Sequence, residues 1–193
     1  MNSLSKHRVG AFTLVSVLVS TLILISGGTV LADDRVCRGT IGARTIDDNL
    51  VVPRGASCTL KGTTVKGNVF VRANARAILV GATVDGNVQG SGRKVVVRQR
   101  SVIDGDVQIE NGRKVVVKYS RVEGNIQLKQ NRELSNIRRN NVDGDIQLFS
   151  NPGGFAVWYN RVDGNLQCKS NGAPRQGDGN IVQGDREDQC RGR

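Results

Sequence analysis

Residues 122–128 read Val-Glu-Gly-Asn-Ile-Gln-Leu, and close variants of this phrase recur along the chain. The phrase places aliphatic and polar side chains alternately on both sides of a glycine. This glycine occurs seven times, at intervals of 19, 19, 19, 20, 20 and 20 residues: Gly67, Gly86, Gly105, Gly124, Gly144, Gly164 and Gly184. A fixed period of this length is typical of a solenoid, in which each repeat is one coil that buries its apolar side against neighbouring coils.

Aligning the coils on this glycine predicts which positions face the interior. The positions two before it, two after it and four after it are aliphatic in nearly every coil, as in Val122, Ile126 and Leu128. Alternation with a period of two, rich in β-branched residues, predicts a strand with one buried face. A second short strand precedes it, as in residues 115–117, after turn-prone residues such as Asn111 and Gly112.

The predicted fold class is all-β: a single-stranded, right-handed parallel β-helix (solenoid) with 19–20 residues per coil and about 6–7 coils. We favour the right-handed form because the apolar residue at every sixth position that characterises hexapeptide helices is absent. The repeated glycine is expected at a corner between strands, in a backbone conformation closed to other residues. The expected organisation is a signal peptide (1–32), an N-terminal cap and first coil (33–62), solenoid repeats (63–170) and a C-terminal cap (171–193).

The first residues have the composition of an export signal. Lys6, His7 and Arg8 form a basic start, and residues 9–32 are uncharged and end in Val-Leu-Ala. We expect cleavage after Ala32, the alternative being an uncleaved membrane anchor. Cleavage would remove two of the 28 basic residues and none of the 17 acidic ones, leaving 26 against 17, a net charge of +9.

Four cysteines, two near each end of the mature chain, agree with export. An even number of cysteines in an exported protein indicates disulfides, and three pairings are possible. We favour Cys37–Cys58 and Cys168–Cys190, because each separation is about one coil and the open ends of a solenoid need stapling. A zinc site is the alternative, but the spacing is not that of a zinc motif and the mature chain contains no histidine.

Two surface columns each have a structural and a functional interpretation. One residue before the repeated glycine lies a file of acids that is balanced either by nearby Lys and Arg or by a cation such as Ca²⁺: Asp85, Asp104, Glu123, Asp143 and Asp163. Five and six residues before it, cations and aromatic rings alternate: Arg100, Lys118, Tyr119, Arg138, Arg139, Trp158 and Tyr159. We call these seven residues the corner strip. It is either a self-satisfied cation–π ladder or a surface for sugar rings or an anionic polymer, with Phe149 as a further stacking face.

Several segments resemble a family of exported, functionally uncharacterised bacterial β-solenoid proteins. The resemblance covers most of residues 48–190 and is carried by residues 48–53 and 55–60, by Gly-Asp-Ile-Gln-Leu-Phe at 144–149, and by the Cys-bearing segments 164–169 and 187–190. It implies location and shape, since that family has no established activity. In coil length and solenoid character the chain also resembles bactofilins, which form cytoskeletal filaments, although its leader and cysteines depart from them.

No catalytic constellation can be assembled from the mature chain, because the one histidine, His7, lies in the leader and no phosphate-binding loop occurs. We therefore expect no enzyme activity, no cofactor and no metal. The expected protein is a secreted or envelope solenoid, periplasmic in a Gram-negative organism, that binds an acidic polysaccharide, a wall polymer or a protein partner. The alternatives are a self-assembling, filament-like protein and, less favoured, a polysaccharide-active enzyme. The basic charge has a simpler explanation in solubility and protection of strand edges.

Overall fold

The computed structural model describes residues 34–193, and the predicted signal peptide lies outside them. Within this range every regular element is a β-strand, and no helix exists that could cross a membrane. The strands form three sheets, and all neighbouring strands run parallel. Each coil contributes one strand to sheet A, then one to sheet B, then one to sheet C, so the chain winds as a β-solenoid of about eight turns.

The strand bounds show how regular the coils are. Sheet A consists of Arg35–Val36, Leu50–Val52, Val69–Val71, Val88–Gly90, Val107–Glu110, Ile126–Lys129, Ile146–Phe149, Leu166–Lys169 and Arg186–Asp188. Sheet B consists of Gly39–Ile41, Ser57–Lys61, Arg76–Val80, Lys94–Arg98, Lys114–Lys118, Ser135–Arg138, Phe155–Trp158 and Arg175–Asp178. Sheet C consists of Thr45–Ile46, Thr64–Val65, Thr83–Val84, Val102–Ile103, Arg121–Val122, Asn141–Val142, Arg161–Val162 and Ile181–Val182.

The all-β parallel solenoid is confirmed, the right-handed sense stays a prediction, and the estimate of 6–7 coils was slightly low. The repeated phrase weakens towards the N-terminus, where Asp48 stands in the position that glycine occupies in later coils. Its neighbours nevertheless form a regular coil, because Leu50 pairs with Val69 and Val52 with Val71. Residues 35–65 thus complete two turns, and a further set of three strands lies beyond residue 174.

The core is a single column of stacked aliphatic side chains. Val122, Ile126 and Leu128, from the three predicted inward positions of one coil, are almost completely buried, as are Val107 and Ile109 in the coil before. The buried residues of all coils form one continuous hydrophobic cluster along the solenoid axis. Burial of such side chains is the main favourable contribution to folding, and here it requires neighbouring coils.

The predicted strand around the repeated glycine is two strands rather than one. In the coil of Gly124, sheet C ends at Val122 and sheet A begins at Ile126, with a corner between them. A hydrogen bond from the preceding coil holds this corner. Asp106, which follows the repeated glycine of that coil, accepts through Oδ1 from the backbone N–H of Asn125 at 2.7 Å. The same bond recurs in successive coils, as from the backbone N–H of Asn87 to Asn68 Oδ1 at 2.9 Å, so the Asn or Asp that follows each repeated glycine forms a ladder along the solenoid.

The reason for the glycine itself differs from the expectation. None of the seven repeated glycines has a positive φ. A Cβ atom on Gly124 would instead lie 2.8 Å from the carbonyl oxygen of Gly105 and closer still to Asp106 Oδ1. Glycine is therefore required because successive corners approach each other too closely for a side chain.

Both predicted cysteine pairs are confirmed. Cys37 is bonded to Cys58 and Cys168 to Cys190, with Cα–Cα distances of 5.6 and 5.2 Å. Each bond joins neighbouring coils near an end of the solenoid. At the C-terminal end, the side chain of Gln189 also accepts from the backbone N–H of Asn171, which closes a buried ladder of asparagines.

Candidate functional site

The corner between sheets B and C is built by residues with left-handed backbone conformation. Arg100, Tyr119, Arg139 and Tyr159 have φ values of 59°, 52°, 54° and 54°. Non-glycine residues reach this region at a cost of about 1 kcal/mol or more, so the corner imposes it. All four side chains are exposed, and together they form the outer edge of the corner strip.

The structure brings the corner strip together as predicted. The Arg139 guanidinium carbon lies 5.7 Å from the ring centroids of both Tyr119 and Tyr159. Arg138 lies 5.8 Å from the Tyr159 centroid, and the rings of Trp158 and Tyr159 are 6.2 Å apart. The predicted cation–π ladder therefore exists. It leaves the rings accessible, since Tyr119 is 44% and Tyr159 50% exposed.

Two details of the strip differ from the prediction. Sheet B pairs Lys118 with Arg98, whereas Gln99, which like Lys118 stands six residues before a repeated glycine, lies in the corner with a φ of 58°. Phe149 lies on sheet A, paired with Lys129 and Lys169, and does not join the strip.

Sheet B carries two columns of cations, and of their six residues only Lys118 and Arg138 were assigned to a surface from the sequence. Arg76, Lys94 and Lys114 are directly paired neighbours at the start of their strands. Arg98, Lys118 and Arg138 are paired in the same way at the end. The available signal was the pattern Lys-Val-Val-Val-Arg at 94–98 and Lys-Val-Val-Val-Lys at 114–118, in which cations flank three valines. We call these six residues, together with the corner strip, the basic face.

The side chains between the two cation columns are apolar or amide. Ile78, Val96, Val116, Asn136 and Ala156 occupy the middle outward position of successive strands. Ile78 and Val116 are half-buried and Val96 is 7% exposed. Long cationic side chains commonly cover apolar surface in this way while keeping their charge in water.

Within residues 34–193, no ion pair balances the charges of the basic face. None of the six paired cations has a carboxylate within 4.0 Å among residues 34–193. The nearest ion pair is at the adjoining corner, where Arg113 contacts Glu133 at 2.8 Å. Like charges on directly paired strands repel one another. The Nε atom of Arg98 is also buried without a hydrogen-bond partner.

The acid column beside sheet C has the opposite character. Lys66 contacts Asp85 at 3.1 Å, and Arg121 contacts Asp143 at 2.6 Å and Glu123 at 3.2 Å. Arg161 contacts Asp163 at 3.6 Å. This confirms the salt-bridged interpretation for four of the five acids. Residues 34–193 contain no cluster of three or more His, Cys, Asp or Glu side chains arranged to hold a metal ion.

Asp104 is the exception in this column. It has no ion-pair partner within the described residues. A small loss of hydration, and then the negative charges of Glu123 and Asp85, raise the pKa of the exposed Asp104 carboxyl above its ordinary value, against smaller opposing effects of Lys66 and Arg121. The acid column thus contains one residue whose charge is unfavourable in the folded state.

Comparison with known proteins adds no functional assignment. No protein-family model matches the chain, and no curated protein or solved structure is significantly similar to it.

Proposed function

We propose that this protein is a non-enzymatic binding module, exported to the cell envelope or secreted, that binds an anionic polymer through the basic face. The observation that carries the proposal is the contrast between two faces of one solenoid. Four of the five acids beside sheet C contact a neighbouring Lys or Arg, whereas the paired cations of sheet B have no carboxylate within 4.0 Å among residues 34–193. An external polyanion would supply the missing counter-charge.

The geometry of the basic face suits an extended polymer. Neighbouring strands are about 4.8 Å apart, so each cation column presents one charge per coil over three successive coils. The backbone array is rigid, and it loses little conformational entropy on binding. The exposed rings of Tyr119 and Tyr159 lie beside the column formed by Arg98, Lys118 and Arg138, and they add stacking surfaces for sugar rings.

The two disulfides support the proposed location. Cys37–Cys58 and Cys168–Cys190 require an oxidising compartment to form and persist. The uncharged segment 9–32, with its basic start, is the corresponding export signal in the sequence.

The test is retention of the purified protein on immobilised acidic polysaccharide at increasing salt. Lys114→Gln with Lys118→Gln removes two charges from sheet B, and Arg138→Ala with Arg139→Ala removes two from the corner strip. Each pair should elute at lower salt than the parent. The slope of log affinity against log salt should fall by about 1–2, because two cation–anion contacts are lost.

The matched control is Lys129→Gln with Lys169→Gln, two exposed lysines on sheet A. It makes the same change in net charge on another face, and we expect a smaller effect on retention. Equal loss in control and test variants would show that only net charge matters. No retention of the parent at low salt would remove polymer binding altogether, leaving solubility and edge protection as the role of the charge.

A further inference from the structure

One coil departs from the regular path at the corner between sheets A and B. In this coil Lys94 of sheet B follows Val88 of sheet A by six positions. In the coil before, the paired residue Arg76 follows Val69 by seven positions. The coil after it also takes seven, from Val107 to Lys114. The coil therefore lacks one residue at this corner.

The same coil recovers the missing residue at its next corner. Gln99 and Arg100 are both left-handed there, where neighbouring coils have one such residue. The register is thereby restored, and Val102 pairs with Thr83. The coil is one residue short at the first corner and one residue longer about 10 residues later, so its repeated glycines are still 19 residues apart.

The shortened corner, residues 90–92, lies against the preceding coil. A Cβ on Gly90 would overlap the carbonyl oxygen of Val71, and one on Gly92 would lie 2.6 Å from Val71 Cγ1. Because this corner sits inward, the coils on either side project beyond it. They enclose an open recess of about 520 Å³, within the size range of small-molecule sites.

The two walls of the recess carry opposite charges. Arg72 stands on one wall, with its guanidinium carbon 5.4 Å from the Phe70 ring centroid, and Glu110 stands on the other. Neither has an ion-pair partner within 4.0 Å among residues 34–193. One coil, carrying Ser91, lies between them, so their backbones are two inter-strand spacings or about 9.6 Å apart.

The floor of the recess carries two amides without hydrogen-bond partners among the described residues. Gln89 and Gln108 make no side-chain hydrogen bond within residues 34–193, whereas Gln147 and Gln167, in the same column, bond to each other at 2.9 Å. Both amides can donate and accept towards a bound molecule.

We infer that this recess binds a small zwitterion with separated charges, the chemistry of a dipeptide or tripeptide. Arg72 takes the carboxylate in a charge-assisted, two-pronged contact, and Glu110 takes the ammonium. Phe70 holds the guanidinium in place before binding. An extended dipeptide spans at most about 7 Å and a tripeptide about 10 Å, the same scale as the roughly 9.6 Å between the backbones that carry the two charged side chains. A polyanion is repelled by Glu110 and a polycation by Arg72.

The experiment titrates the full-length protein with Ala-Ala and Ala-Ala-Ala, and with the N-acetylated and C-amidated forms of each, by calorimetry. Free peptides should bind, and blocking either terminus should weaken binding at least about tenfold, because a charge-assisted hydrogen bond is lost. Arg72→Gln should weaken binding of the free peptides to the same extent as amidation of the C-terminus. Glu110→Gln should weaken it to the same extent as acetylation of the N-terminus. Arg132→Gln, an exposed arginine at another corner, should have no effect.

A third variant tests the recess without changing charge. Ser91→Tyr places a ring in the space between the walls and should abolish binding. The inference is overturned if blocked and free peptides bind equally, if Ser91→Tyr binds as well as the parent, or if no free peptide binds at millimolar concentration. Polymer retention by the basic face, which shares none of these residues, should be unchanged in all three variants.

Discussion

Each coil joins the next through a pair of adjacent residues, the repeated glycine and the Asn or Asp that follows it. The side-chain oxygen of Asp106 accepts from the backbone N–H of Asn125 and from its side-chain amide, at 2.7 and 3.0 Å. The glycine of the later coil lies against that same oxygen. The two positions therefore act together: one supplies the hydrogen bond, and the other leaves room for it.

Replacing Gly124 by Ala should destabilise the protein by about 1–3 kcal/mol, the usual cost of forcing an atom into close-packed space. Gly42→Ala is the matched control, since a Cβ there meets no atom within 4 Å and its φ is not positive. It should be neutral or stabilise slightly by restricting the unfolded chain. Urea unfolding measures both, and equal midpoints for the two variants would refute the spatial explanation.

At the scale of elements, two buried ladders of asparagine tie the corners together. Asn151 Oδ1 accepts from the backbone N–H and the side-chain amide of Asn131, and its own amide donates to the carbonyl of Leu128 at 2.9 Å. Asn160 bonds in the same way with Asn140 and with the carbonyl of Ile137. These bonds satisfy backbone N–H and C=O groups that the strands leave unpaired where they end. They therefore offset the free-energy cost of burying the corner backbone.

The acid column beside sheet C is balanced except at Asp104. Because folding raises the pKa of Asp104, the folded state binds that proton more tightly than the unfolded state. The contribution of Asp104 therefore becomes less favourable as pH rises from the ordinary carboxyl pKa through the raised value. At neutral pH the charged residue destabilises the fold.

Asp104→Asn should raise the melting temperature at pH 7, and the gain should disappear by about pH 3, where the carboxyl is protonated in both states. Asp143→Asn is the matched control. It removes a carboxylate that contacts Arg121 at 2.6 Å, so it should not stabilise. Thermal unfolding of the two variants at both pH values decides the matter: a gain for Asp143→Asn equal to that for Asp104→Asn would contradict this explanation.

At the scale of the whole molecule, the solenoid presents different surface chemistry on each face and closes its ends by covalent bonds. Sheet A presents amides, sheet B cations and sheet C balanced charges. End coils have a neighbour on one side alone, so they lose less on opening than central coils. The disulfides lie where this local opening would begin.

Replacing Cys37 and Cys58, or Cys168 and Cys190, by Ser should lower the free energy of unfolding by about 2–4 kcal/mol. The separations of 21 and 22 residues close loops of similar length, so the two double variants should lose similar amounts. Chemical unfolding measures this, with the parent in reducing agent as a further comparison. An unchanged midpoint after full reduction would show that the ends do not depend on the bonds.

Much of this architecture is readable from the sequence, because a solenoid repeats its contacts at a fixed interval. The inward columns represented by Val122 and Ile126, the Asn/Asp ladder and both disulfides all follow from a period near one coil. The corner strip follows as well, since Tyr119, Arg139 and Tyr159 occupy the same position in successive coils.

Only the tertiary structure decided where the chain turns, and therefore which side chains share a face. It divided the strand around each glycine between sheets C and A, placed Phe149 away from the strip, and brought Arg98 rather than Gln99 beside Lys118. It also revealed the recess at Ser91. The physical reason is that one residue lost or gained at a corner changes the face on which every following side chain lies. The position of each corner is fixed by hydrogen bonds between residues about 20 positions apart, which a local reading of the sequence does not show.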